Sequence, residues 1–273
     1  MRNLGLKLTI MQQHKNSTSV MESATIQKNE ASSKSPTSRR HFFNYFVIAA
    51  ILAIVVTLTS CGGGGIGSSS YKIKITREEG GYFPLMLKGN GVATVDWGDG
   101  SEKVSLTLNE EKSVEFEHSY PNASIRTIII NGDNITGLTC YGISNLDVSR
   151  CTELTLLGCS GTFTSLDLRK NTALKGLYIV GNQCTYLDLS KNTALTELLI
   201  TGSQLTNFDL SKNTVLTKLE IDNLLTSSTL NALFRTLHSN TGEKIIFIEN
   251  NPGSKDCDRS IAESKGWMFR PWR

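Results

Sequence analysis

One phrase recurs along this chain and limits its fold more than any other feature. Leu166-Asp167-Leu168-Arg169-Lys170-Asn171-Thr172-Ala173-Leu174 returns as Leu187-Asp188-Leu189-Ser190-Lys191-Asn192-Thr193-Ala194-Leu195. It returns again as Phe208-Asp209-Leu210-Ser211-Lys212-Asn213-Thr214-Val215-Leu216, with a degenerate copy at Leu146–Leu154. A second apolar motif lies between the copies: Leu174-x-x-Leu177-x-Ile179, Leu195-x-x-Leu198-x-Ile200 and Leu216-x-x-Leu219-x-Ile221. Weaker versions are Ile135-x-x-Leu138-x-Cys140 and Leu154-x-x-Leu157-x-Cys159. A chain that repeats about every 20 residues folds as a stack of like coils, because no single coil can bury its own apolar edge.

The pattern is that of a leucine-rich repeat, L-x-x-L-x-L-x-x-N/C-x-L. Alternation along each short strand points Leu198 inward and Leu199 outward. Asn171, Asn192 and Asn213 hold the Asn position, where an amide satisfies turn backbone. Thr162 and Ser203 replace a second Asn, so a ladder on that edge is expected to be incomplete. The short period and the phrase Leu-Asp-Leu-Ser-Lys-Asn-Thr-Ala-Leu resemble leucine-rich-repeat lipoproteins of bacterial cell envelopes. The likeness covers most of residues 132–269, is closest in the middle three copies and is looser over Ile135–Thr162. It implies a solenoid that recognises another macromolecule. Asp147, Asp167, Asp188 and Asp209 form one carboxylate per coil, read as a solvated face compensated by Arg150, Arg169, Lys170, Lys191 and Lys212 rather than as a cation stripe.

The leader reads as a delivery device. Residues 1–60 hold seven Lys/Arg and two Asp/Glu, which leaves 21 and 23 of the chain's 28 and 25 for residues 61–273. The remainder is therefore near neutral and carries no electrostatic footprint for nucleic acid. Arg39-Arg40 precede an apolar run from about Phe42 to Leu58, which is short for a bilayer span of roughly 20 residues and fits a secretory signal. Leu58-Thr59-Ser60-Cys61 resembles a bacterial lipobox, which implies cleavage before Cys61, lipidation of that cysteine and an outer-membrane lipoprotein facing the surface or the periplasm. Ser38-Arg39-Arg40-His41-Phe42-Phe43 is a weaker match to a twin-arginine export signature. Gly62, Gly64 and Gly67 fit a dinucleotide-binding spacing but follow no strand and open no helix, so that motif fails its context. Residues 61–70 are a Gly/Ser tether.

Residues 71–131 read as short strands without a helix. Tyr71–Ile75 alternates at period two, Val92–Trp97, Lys103–Leu108 and Thr127–Ile130 are further strand candidates, and Asp99-Gly100 predicts a tight hairpin. Val95-Asp96-Trp97-Gly98-Asp99-Gly100-Ser101 followed by His118-Ser119-Tyr120 resembles a PKD-type immunoglobulin-like module, which implies an antiparallel β-sandwich serving as spacer or adhesion element. Asp96 and Asp99 are read as turn residues, and His118 as a structural hydrogen-bonder beside Tyr120.

Residues 132–226 are assigned to the repeats and 227–273 to a C-terminal cap. The cap is expected to hold a helix through Leu230, Leu233, Phe234 and Leu237 after Ser227-Ser228, a last strand at Ile245–Ile248 and a second helix from about Asp256 to Lys265. The expected class is mainly β: a PKD-like β-sandwich, a short leucine-rich-repeat solenoid and an α/β cap. Cys140, Cys151, Cys159 and Cys184 fall at apolar or Asn/Cys positions and read as small buried residues, with a Cys140–Cys159 disulfide allowed but not demanded. No catalytic motif, metal-spaced His pair or cofactor loop appears, so the chain is expected not to be an enzyme and to need no cofactor or metal. The expected ligand face is the outward strand positions: Tyr141, Leu156, Tyr178, Val180 and Leu199 as an apolar strip, with charge at Lys218, Glu220 and Asp222. Its expected partner is a host or envelope protein; a glycan for a polysaccharide-uptake system, or a plain spacer role, are the alternatives.

Overall fold

The computed structural model describes residues 71–206 and 208–271; the leader, the Gly/Ser tether and Cys61 lie outside the described residues. Five strands come first: β1 (Ile73–Arg77), β2 (Gly81–Asp96), β3 (Val104–Thr107), β4 (Val114–Tyr120) and β5 (Arg126–Ile143). Short β6 (Asn145–Asp147) follows, then one strand per repeat: β7 (Leu156–Gly161), β8 (Gly176–Val180), β9 (Glu197–Thr201) and β10 (Lys218–Asp222). The cap contains α1 (Ser227–Thr236), β11 (Lys244–Phe247), the single-turn α2 (Ser260–Glu263) and β12 (Trp267–Phe269).

From β5 onward, β7 to β12 pair in parallel and in sequence order. Leu138, Leu157, Leu177, Leu198, Leu219 and Ile246 stand side by side in that register and are all buried. This is a leucine-rich-repeat-like solenoid, and the repeat predicted it. Coil-to-coil backbone bonds return every turn, as Lys175 N–H to Thr155 O, Thr196 N–H to Lys175 O and Thr217 N–H to Thr196 O, at 2.8, 2.8 and 2.9 Å.

The Asn positions explain why the turn geometry repeats from coil to coil. Asn192 Nδ2 donates to Leu168 O and Asn171 O, 3.1 and 2.9 Å away, and Asn171 and Asn213 do the same one coil earlier and later. Asn251 carries the ladder into the cap by donating to Ile221 O and Ile248 O. On the second edge Ser203 donates its N–H and hydroxyl to Asn223 Oδ1, at 2.9 and 2.8 Å. The aspartate of each phrase accepts the backbone N–H two residues on, at Ser149, Arg169, Ser190 and Ser211. Those carboxylates are turn caps, and the one-per-coil spacing is the spacing of the turns.

The N-terminal segment differs from the expected independent sandwich. All twelve strands belong to one connected sheet. β2 and β5 are long and irregular: their pairing shifts at Lys88/Gly89 and at Asn90/Ala93. One end of β2 pairs β4 and the other pairs β3, while β5 pairs β1 near its start and β7 near its end. The two arms face each other across a shared core, with the Phe83 and Trp97 rings 6.3 Å apart edge to face. The junction expected at 131/132 therefore falls inside β5. Among the described residues one core cluster runs from Ile73 to Trp267.

Local details also depart from expectation. β2 closes onto β3 at Val95 and Val104, so the loop around Asp99-Gly100 is wider than a two-residue turn. Asp96 and Asp99 accept the N–H groups of Gly98 and Ser101, the turn role read for them from the sequence. Thr226, not Ser227 or Ser228, caps α1 through a side-chain bond to Thr229 N. The second helix shrinks to α2, and β12 adds a strand beyond the one expected to be last. Lys265 Nζ reaches the carbonyls of Phe234 and Leu237 at 3.1 and 2.7 Å, closing the end of α1 with a cation.

Candidate recognition face

Outward positions of the parallel strands form three rows. The middle row is Thr139, Gly158, Tyr178, Leu199 and Glu220, each in register with the next. One flanking row holds Leu156, Gly176, Glu197 and Lys218, the other Ser160, Val180, Thr201 and Asp222. Tyr141 lies within the irregularity between Cys140 and Ile143 near the end of β5, where it has no register partner on β7. The structure thus puts Leu156, Tyr178, Val180, Leu199, Lys218, Glu220 and Asp222 on one side of one sheet.

Their exposure differs from the expectation of a solvent-facing strip. Tyr178, Val180 and Leu199 are 2 to 3% exposed, Tyr141 9% and Glu220 1%. Leu156, Lys218 and Asp222 are half-buried. Yet Tyr141, Tyr178, Val180 and Leu199 stand outside the core cluster that contains their inward neighbours Cys140, Leu177, Ile179, Leu198 and Ile200. Part of the covering is local. A Cβ at Gly176 would lie 2.8 Å from Leu156 Cδ1 and 3.1 Å from Tyr178 Cε2, so both side chains lean over that glycine.

The face carries charge at its C-terminal end. Tyr178 Oη donates to Glu197 Oε2 at 2.8 Å, and Lys218 Nζ lies 3.9 Å from the same oxygen. Asn250 Nδ2 donates to Asp222 Oδ2 at 2.8 Å. Burial, then the charge of Glu197, raises the Tyr178 phenol well above its ordinary value, so it remains a neutral donor. The Tyr141 hydroxyl is buried and has no hydrogen-bond partner among the described residues.

Other sequence candidates resolve into structure. His118 Nε2 lies 2.7 Å from Asp99 Oδ2, and its ring stacks on Trp97 with centroids 5.0 Å apart. Tyr120 Oη donates to the Trp97 carbonyl at 2.9 Å. The Ser101 hydroxyl, and then His118, hold Asp99 far below the usual carboxylate range. Cys140, Cys151, Cys159 and Cys184 are buried free thiols, and Cys140 and Cys159 are register partners. Burial pushes the Cys140 thiol up to about 12, which suppresses thiolate chemistry. Arg77, which no sequence pattern singled out, is buried and donates to the carbonyls of Glu79, Gly80, Tyr141 and Gly142. It thereby ties the end of β1 to the stretch of β5 that carries Tyr141. Among the described residues no set of three or more His, Cys, Asp or Glu is arranged to hold a metal, and no helix is long and apolar enough to cross a membrane.

Neither a family model nor a curated protein matches the chain. Solved structures do. The functional domain of InlJ from Listeria monocytogenes, described as including a cysteine ladder, is 25% identical with a TM-score of 0.32, over 47% of this chain and 37% of that one. The internalin InlF from Listeria monocytogenes is 18% identical with a TM-score of 0.35, over 49% and 46%. The match thus spans less than half of either structure.

Proposed function

We propose that the chain is a non-enzymatic, envelope-anchored lipoprotein whose solenoid face recognises a protein partner. The observation that carries this is the set Tyr141, Tyr178, Val180 and Leu199: large apolar side chains on the sheet side away from the core. Exposed apolar patches rimmed by polar residues mark contact sites; these four side chains are 2 to 9% exposed, so this reading requires a partner to displace what covers them. Two tyrosines among Leu, Val, Glu and Lys make a mixed surface, which suits protein better than the aromatic platform a glycan stacks on. The PKD-like reading of the first five strands is supported by the Trp97, Asp99, His118 and Tyr120 cluster, where the two motifs of that resemblance meet.

Anchoring rests on Leu58-Thr59-Ser60-Cys61 after the apolar run. A Cys61→Ala variant should accumulate uncut or move to the soluble fraction; unchanged mass and membrane partition would remove the lipoprotein from the proposal. For the face, Tyr178→Ala combined with Leu199→Ala should abolish capture of the partner by the 71–273 fragment. Full capture by that variant, with its fold intact by circular dichroism, would exclude the face.

A further inference from the structure

The histidine of the cap sits where only its neutral form keeps every bond. His238 follows α1 and is half-buried. Its Nε2 lies 2.7 Å from the Leu216 carbonyl oxygen, which can only accept, so Nε2 carries the proton. Its Nδ1 accepts the backbone N–H of Asn240 at 3.1 Å and is therefore bare. Asn240 Nδ2 in turn donates to the Thr214 carbonyl at 2.9 Å. The loop after α1 thus grips the last repeat at two carbonyls, those of Thr214 and Leu216. Behind the loop, the Trp267 indole N–H donates to the His238 carbonyl at 3.0 Å, and the two rings meet edge to face with centroids 5.6 Å apart.

The elements packed around this histidine carry more cations than carboxylates. Lys244 of β11 is buried, and its Nζ donates to the Asn240 carbonyl. Lys265 Nζ donates to the Leu237 carbonyl at 2.7 Å. Arg235 of α1, Glu243 of the loop, and Asp209 and Lys212 on the turn of the last repeat are exposed. Asp209 is committed to the Ser211 N–H. Among the described residues no carboxylate forms an ion pair with His238, Lys244 or Lys265. A proton placed on Nδ1 would point at the Asn240 N–H, turning an acceptor into a second donor.

We propose that His238 is an acid-sensitive latch: protonation of Nδ1 releases residues 238–243 from the last repeat and loosens the cap. The inference does not depend on the recognition reading above. A released loop takes up the proton below about pH 6.5, the ordinary value for histidine, whereas the latched loop takes it only by giving up Asn240. Latching is therefore complete above that pH and weakens as the pH falls through it. His118 has the opposite arrangement, because its Nε2 lies 2.7 Å from Asp99 Oδ2, a partner that protonation preserves. Acid thus acts on the C-terminal cap and spares the N-terminal histidine.

The test is amide hydrogen exchange of the full chain in mild detergent, followed by mass spectrometry. It is run near pH 7.5 and near pH 5.5 and corrected for the intrinsic pH dependence of exchange. Peptides covering residues 238–243 should exchange about tenfold faster at the lower pH, the factor by which protonation favours a free histidine there. Peptides of the middle repeats should not change. His238→Asn keeps an acceptor near the Nδ1 position and cannot be protonated, so it should abolish the difference. Independently of whether that variant folds, the ring nitrogen shifts of the wild type near pH 7.5 should report Nε2–H with bare Nδ1. An Nδ1–H tautomer or an imidazolium at that pH overturns the proposal. Equal exchange of the loop at both pH values also overturns it, as does an acid response that survives in His238→Asn.

Discussion

At the scale of single residues, the repeat is a solution to backbone hydrogen bonding. Each coil turns sharply, and each turn leaves carbonyls facing the interior that only a side chain can reach. Asn suits the position because its amide carries two donors, and Asn192 spends both on carbonyls of the preceding coil. The site is fully buried. Asn192→Ala should therefore cost about 1–3 kcal/mol, the price of leaving buried polar groups unpaired. Urea unfolding of the variant checks this. A loss below about 0.5 kcal/mol would mean that water replaces the amide and that the ladder is not a stability element. The aspartates one turn away do related work at the surface, and their loss should matter less because the groups they cap remain within reach of water.

Secondary-structure elements show where the sequence was and was not legible. Strands β7 to β10 follow from the Leu-x-Leu/Ile spacing, because identical phrases impose identical registers. β2 was only half visible. Its first part, Gly81–Asn90, carries Pro84 and two glycines, and its period-two set Phe83, Leu85 and Leu87 is blurred by Tyr82 and Met86 at the alternate positions, yet those three residues are fully buried. Their inward placement depends on β4 and β5 lying on either side, and distant pairing of that kind has no local signature. The burial of Tyr178 and Leu199 was illegible for the same reason: alternation gives the side of the sheet a residue faces, not what rests on that side. β7 illustrates a constraint the sequence does contain. Gly161 ends that strand with φ at +154°, and a Cβ there would fall 1.9 Å from the Ile143 carbonyl oxygen. That atom is backbone in β5 and cannot swing away. Gly161→Ala should thus force β5 and β7 apart and cost more than the roughly 1 kcal/mol of an ordinary glycine replacement, measured as a fall in thermal midpoint. An unchanged midpoint would show that the junction relaxes freely.

On the scale of the whole molecule, the decisive feature is that β5 belongs to both halves. A spacer joined to a solenoid by a linker would have two cores and two unfolding events. Here β5 pairs β1 and β2 through one stretch and β2 and β7 through the next, and Arg77 is bonded to carbonyls near its end. The apolar cluster passes from Ile128 and Ile130 to Leu138 and Cys140 and on into the coils without a gap. Removing residues 71–125 would expose Leu138 and Cys140 and leave β5 without β2. The N-terminal strands therefore act as the solenoid's cap at that end, the role that α1, β11 and β12 play at the other. Stacked repeats between two such caps couple through nearest-neighbour interfaces, and a short array with both ends closed should unfold in one step. Scanning calorimetry of the 71–273 fragment should give a single peak whose calorimetric and van't Hoff enthalpies agree. A 126–273 fragment should lack that peak and bind a hydrophobic dye. Two resolved peaks in the longer fragment, or a cooperative peak in the shorter one, would instead mean that β5 is a linker drawn as a strand and that the N-terminal strands are a separate module.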